Sequence, residues 1–287
     1  MTHAPSTPAR RRRGLSLFAE ELAKPDAEVD IARASLHIAL HHTPSLDVEA
    51  VVARLDEMGL ELQAFLPPPE SRYTRRMLLA INRYLFEHLG FRGAPKSAFY
   101  SVGNSCLDVV LSSRTGTCAG PGAPARCPQA LTAHLTPRPG IPLTLSLVYM
   151  QMAQRAGLPM VGVNLPAHFM IRPAVEDVEV LVDPYNGGEI ISVEDAEALL
   201  SPLYGEGATI EIDRSFFKDN APKPRSFLTR MLTNLKVRQS SPTRESCQVW
   251  CMRAVQTPIK PHSRSHAYDT NDSKSTSMRR SLTARCL

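Results

Sequence analysis

Apolar positions recur at helical spacing through the first third of the chain. Between Val29 and Thr43, Ile31, Ala34, Leu36, Ile38 and Leu40 fall at mixed three- and four-residue intervals, and Pro44 follows, which predicts a helix that stops there. From about Asp47 to Phe65, residues Val48, Val51, Val52, Leu55, Met58 and Leu62 make one apolar face, with Leu46 just before it, and Pro67 to Pro69 end the segment. A third pattern, Ser71 to Leu89, sets Met77, Leu78, Ile81, Tyr84, Leu85 and Leu89 on one side before Gly90 closes it. The N-terminal half therefore reads as helical.

The pattern then changes. Asn104 stands as a candidate N-cap for a short helix that turns Leu107, Val110 and Leu111 inward. Residues 115–139 are rich in Gly, Pro, Ala and Thr and read as a low-complexity insertion. Regularity returns with a strongly apolar helix, Pro142 to Ala156, which has proline at a tolerated first-turn position and glycine at its end. Three strands follow, Met160 to Leu165, Phe169 to Arg172 and Val178 to Val182, the last two joined by a Glu176-Asp177 turn. Ser192 is expected to cap a helix through Leu200, and Ser226 to Val237 forms a further amphipathic one. The expected architecture is α+β: a helical N-terminal half, then a helix packed on a small antiparallel sheet.

Composition limits the function classes. Of 287 residues, 43% are hydrophobic and 21% charged, an ordinary globular balance with no apolar run near the ~20 residues of a membrane span. The net charge of +5 arises largely from Arg10 to Arg13 and from the segment after Arg238. No nucleic-acid recognition motif accompanies it, so neither a specific nucleic-acid partner nor a membrane is expected. The cysteines form neither a CxxC pair nor zinc-site spacing, which points to reduced thiols in the cytoplasm. Residues 1–28 read as a disordered basic terminus, and their arginines without early acids are also compatible with an organelle transit peptide. Residues 29–238 form the expected domain, and residues 239–287 read as a disordered tail.

The chemistry concentrates between Pro139 and Gly188. His168 and Asp183, each beside an apolar strand-like run, follow an apolar helix in the order in which papain-like and transglutaminase-like cysteine enzymes supply a base and its orienting carboxylate. The runs Pro-Gly-Ile-Pro142-Leu-Thr144-Leu-Ser146, Gly162-Val-Asn164-Leu-Pro-Ala-His168-Phe and Val-Asp183-Pro-Tyr185-Asn186-Gly-Gly resemble the SirB-type branch of the transglutaminase-like superfamily. Asn82-Arg-Tyr-Leu-Phe-Glu-His-Leu-Gly-Phe-Arg-Gly, Asn104-Ser-Cys-Leu-Asp-Val-Val-Leu and Arg230-Met-Leu-Thr-Asn-Leu-Lys are similar to signatures of the same branch. The resemblance implies a transglutaminase-like (papain-like) fold in which many members lack the nucleophilic cysteine.

It also implies that Pro142 occupies the nucleophile position, where no thiol attack is available. His168 and Asp183 are then the inherited triad positions, and Asn104, Thr144, Asn164, Tyr185 and Asn186 are candidates to line the old cleft. A satisfied structural pair is the favoured reading of His168 and Asp183. The expected function is a non-catalytic binding or scaffold module for a protein or peptide partner, without cofactor or metal. The alternative is a hydrolase or acyl-transferase using His168 and Asp183 with a water, Ser146 or Thr144. His37 and His41 have the i, i+4 spacing of two metal ligands but no acidic third ligand in register, so they read as a helical face. Cys106 reads as a small core residue, while Cys118 and Cys127 fall in the insertion. That insertion and the tail, where the family continues into a tetratricopeptide-like region, both resemble unspliced or misread coding sequence.

Overall fold

The computed structural model describes residues 8–99, 101–112, 137–165, 168–175, 180–200, 216–217 and 221–236. Four helices come first: α1 (Pro8–Leu22), α2 (Ile31–Ala39), α3 (Val48–Leu62) and α4 (Thr74–Asn82). Asp30 and Asp47 start α2 and α3 by accepting the backbone N–H of Arg33 (3.0 Å) and Ala50 (3.1 Å), which satisfies donors that the first turn leaves free. Beyond α4 the chain widens into a π-helical turn, Arg83–His88, closed by the N–H of Leu89 on the carbonyl of Tyr84. The extra residue in that turn keeps Tyr84 and Leu85 in the core.

The expectation of a disordered N-terminus is corrected by α1. Phe18 and Leu22 are buried in the main core, and α1 packs along α2. Its apolar positions are few, so the sequence offers little local signal; the core contributed by α2 and by the last helix is what gives it a face to bury.

The centre of the molecule is α6 (Pro142–Arg155), following a short α5 (Leu107–Ser112). Leu143 to Tyr149 are buried in an unbroken run, so the first two turns of α6 are enclosed on every side, while in its second half Met152 and Ala153 stay buried and Gln154 is exposed. It packs on α3 and α4 on one side and on β3 and β4 on the other. The sheet is β3 (Met160–Leu165), β4 (His168–Pro173), β5 (Val180–Asp183) and β6 (Glu189–Ser192), antiparallel in that order. Its two faces read out the strand alternation. Phe169, Ile171 and Val182 join the core around α6, whereas Val163, Leu165, Met170 and Leu181 join Ala196 of α7 (Val193–Leu200) and Phe217 in a second cluster. Ser192 and Asp195 cap α7 reciprocally, as the sequence predicts. The last helix, α8 (Pro224–Lys236), buries Phe227, Leu228, Met231, Leu232 and Leu235.

A second, two-stranded element has no counterpart in the sequence reading. β1 (Phe91–Gly93) and β2 (Arg138–Gly140) pair in parallel, with Phe91 opposite Arg138 and Gly93 opposite Gly140. Arg138 and Pro139, read from sequence as the end of the insertion, are thus part of the fold, and the Arg138 guanidinium lies buried over the Phe91 ring at 5.0 Å. The remainder of the insertion, the Glu176-Asp177 turn and the tail lie outside the described residues. No helix among the described residues is long and apolar enough to cross a membrane.

Candidate functional site

The site is built around the start of α6. β2 delivers the chain to Ile141, whose N–H bonds to the carbonyl of Asn104 at 3.2 Å, and Pro142 then takes the first helical position. No side chain caps this helix end, so backbone donors of the first turn remain without an intrahelical partner. Asn104 is not the cap of α5, as the sequence suggested. Its amide instead donates to the carbonyl of Ala98 at 2.7 Å, fixing the 102–105 turn to the loop before it, while its carbonyl holds Ile141.

The residues after Pro142 are enclosed. Thr144 and Ser146 are fully buried, and neither hydroxyl has a hydrogen-bond partner among the described residues. A serine or threonine nucleophile needs a base within hydrogen-bond reach, and none is present here. Cys106 behaves as the core residue expected: burial, with a smaller contribution from the Asp108 charge, pushes its thiol up to about 12.

His168 and Asp183 occupy neighbouring strands. Ile171 pairs with Val182, so Asp183 stands opposite Met170 and His168 is its diagonal neighbour on the same face, a separation of about 7–8 Å between Cα atoms. They are not joined by a hydrogen bond. The Asp183 carboxylate is committed to its own turn: Oδ1 accepts the N–H groups of Tyr185 (2.9 Å) and Asn186 (3.3 Å), and Oδ2 accepts the Asn186 amide (2.9 Å). Asp-Pro-Tyr-Asn is a side-chain-capped turn, which corrects the expectation of a satisfied His168–Asp183 pair. The half-buried His168 opens β4 opposite Leu165.

The remaining cleft candidates divide. Tyr185 donates its hydroxyl to the carbonyl of Ala94 at 2.6 Å, and Gly93 leaves the room this requires, since a Cβ there would sit 2.5 Å from the Tyr185 carbonyl oxygen. Asn164 is exposed and accepts from the guanidinium of Arg230 on α8, so it belongs to the β3–α8 surface. Asn104, Tyr185 and Asn186 therefore gather near α6, Thr144 is sealed within it, and Asn164 faces elsewhere.

One organising residue escaped the sequence reading as a site element. Asn82, the last residue of α4, accepts the Tyr149 hydroxyl at 2.9 Å and donates to the Gly188 carbonyl at 2.6 Å, tying α4, α6 and the 183–188 turn together. Gly188 has φ +77°, and a Cβ would fall 2.2 Å from Asn82 Oδ1. The signal was present: an asparagine interrupts the apolar face of the third helical pattern, and a buried polar residue calls for partners.

His37 and His41 do not form a metal pair. Among the described residues no three His, Cys, Asp or Glu side chains converge on a metal position.

The architecture is thus a buried helix packed on a four-stranded antiparallel sheet, with His168 and Asp183 on adjacent strands. The sequence matches the profile of the Transglutaminase-like superfamily over residues 49–119 and 129–233, and the chain belongs to that superfamily. Among curated proteins it is 30% identical over 159 residues to a UPF0162 protein of Xylella fastidiosa, covering 55% of this chain and 47% of that one. A UPF0162 protein of Pseudomonas aeruginosa is 32% identical over 206 residues, covering 71% of this chain and 62% of that one. The F-box only protein 21 of mouse is 27% identical over 149 residues, or 47% of this chain and 20% of that protein. The chain thus spans about half to three-fifths of the UPF0162 relatives named here. No solved structure matches.

Proposed function

We propose that this domain is a member of the SirB-type branch with a papain-like arrangement, and that it works as a non-catalytic binding or scaffold module for a protein or peptide. The observation that carries this reading is Pro142 at the first position of α6, the place the resemblance gives to the nucleophile. Proline offers no attacking atom. The nearest hydroxyls, Thr144 and Ser146, are buried without a base, and the Asp183 carboxylate is occupied by its own turn. Orientation of His168 as a general base would need that carboxylate.

The relatives support a modular role. In the mouse F-box protein the similar stretch is only 20% of the length, so the domain there is joined to much other sequence. The exposed Asn186 and the half-buried Tyr185, in the turn that packs on α6, offer the surface on which such a partner is read, and the buried Asn104 holds the 102–105 turn behind the helix start.

The competing reading is hydrolysis or acyl transfer by His168 with a water. Screening the full chain against amide and ester substrates, beside His168→Ala and Asp183→Asn, separates the two. The module reading predicts no turnover above the His168→Ala level; turnover abolished by His168→Ala overturns it.

A further inference from the structure

Helix α1 meets α2 and the start of α3 around a half-open groove of about 750 Å³. His37 lies in its wall. Gly14 of α1 packs on its backbone, where a Cβ would lie 3.1 Å from the His37 carbonyl oxygen, Leu17 of α1 lines the same groove, and Nδ1 is shut away from solvent with no partner among the described residues. Glu21, which lines the same groove, is engaged elsewhere: it accepts from Lys24 (2.8 and 2.9 Å) and from the N–H of Asp30 (2.8 Å). Arg33, on the same helix as His37, forks onto Glu49 of α3. Arg13 and Glu20 on α1, Lys24 just beyond it and Asp47 at the cap of α3 complete the charged lining.

We propose that α1 is a proton-sensitive latch: it is docked through neutral His37 and loosens when this histidine takes up a second proton. A charged imidazole must donate from both nitrogens, and Nδ1–H would point into a closed space without an acceptor. Release of α1 lets water solvate it. Burial, the largest influence, holds the docked His37 below the ordinary histidine value, and the opposing attraction of Glu21 does not outweigh it. Docking is therefore strongest above about pH 6.5, weakens as pH falls through that value, and levels off below the docked value. The carboxylates act in a lower range. Glu21, despite burial, is lowered by Lys24, and Glu49 is lowered by Arg33, so both keep their grip across this window.

Amide hydrogen exchange on the full chain at about pH 7.5 and 5.5, corrected for intrinsic rates, tests the latch. Opening of the Leu15–Leu22 amides is expected to rise several-fold on acidification, about tenfold for each unit by which docking displaces the titration, while the Leu145–Met152 amides of α6 stay protected. His37→Gln keeps a polar side chain in the wall of the groove without a titrating ring, and its α1 should show no such rise. His37→Leu serves as a second non-titrating variant should glutamine fail to dock, and His41→Gln with His42→Gln should keep the full response. A wild-type α1 indifferent to pH, an equal rise in the His37 variants, or parallel opening of α6 overturns the proposal.

Discussion

Arg225 and Asp26 form an ion pair across 199 residues of sequence, Nε to Oδ1 at 3.0 Å, and the same guanidinium donates to the carbonyl of Leu22 at 2.6 Å. The contact clamps the end of α1 to the start of α8. It makes the N-terminal helix part of the domain, ahead of the first residue of the superfamily match.

Removal of residues 1–24, as transit-peptide cleavage near Lys24 would do, strips Phe18 and Leu22 from the core. Each such loss costs about 3 kcal/mol or more, so the truncated chain should unfold at markedly lower urea. Arg225→Ala, which loses a half-exposed pair and a carbonyl contact, should cost only about 1–2 kcal/mol.

Two glycines of positive φ should respond differently to alanine. Gly157 (φ +81°) has open space around its Cβ position and should lose only the left-handed penalty, about 1–2 kcal/mol. Gly188→Ala must in addition displace Asn82, and should cost clearly more in equilibrium denaturation. Combining Gly188→Ala with Asn82→Ala should recover part of the loss, because the two side chains share the space.

Asp183 is expected to matter for stability and His168 hardly at all. Asp183→Ala removes three hydrogen bonds from one turn and should cost about 1–3 kcal/mol. His168→Ala, half-buried and without a hydrogen bond to Asp183, should stay within about 0.5–1 kcal/mol in thermal or urea melts.

Cys106 should resist alkylation in the native chain. With its thiol pushed up to about 12, the thiolate fraction at pH 8 is roughly one in ten thousand. Peptide mass analysis after iodoacetamide treatment should find Cys106 unmodified until urea is added, with reactivity rising as pH is raised.

Much of the fold was legible because its elements are locally patterned. β3 is bounded by sequence as it is in the structure, and Gly90 and Gly157 take the positive φ that suits glycines closing helices. What stayed hidden depends on distant partners. α1 is stabilised by α2 and α8, not by its own periodicity. β2 consists of Arg138, Pro139 and Gly140, three poor strand formers held by β1 47 positions earlier and by the Phe91 ring.

The wiring of the site was misread. Strand alternation puts His168 and Asp183 on one face of the sheet, the face of Leu165, Met170 and Leu181 and not the one packed on α6. Sequence spacing, however, cannot say which donors a carboxylate will take. The Asp-Pro-Tyr-Asn run carried the signal of a capped turn, and that local demand outcompeted His168 for the Asp183 oxygens.

The central claim is that no acyl-transfer nucleophile operates beside His168. Incubating the full chain with an activated acyl donor and reading adducts by intact and peptide mass, beside His168→Ala, tests it most directly. The account predicts the same adduct pattern in both proteins, limited to exposed side chains. An adduct on a single residue that forms in the wild type and disappears in His168→Ala would contradict it.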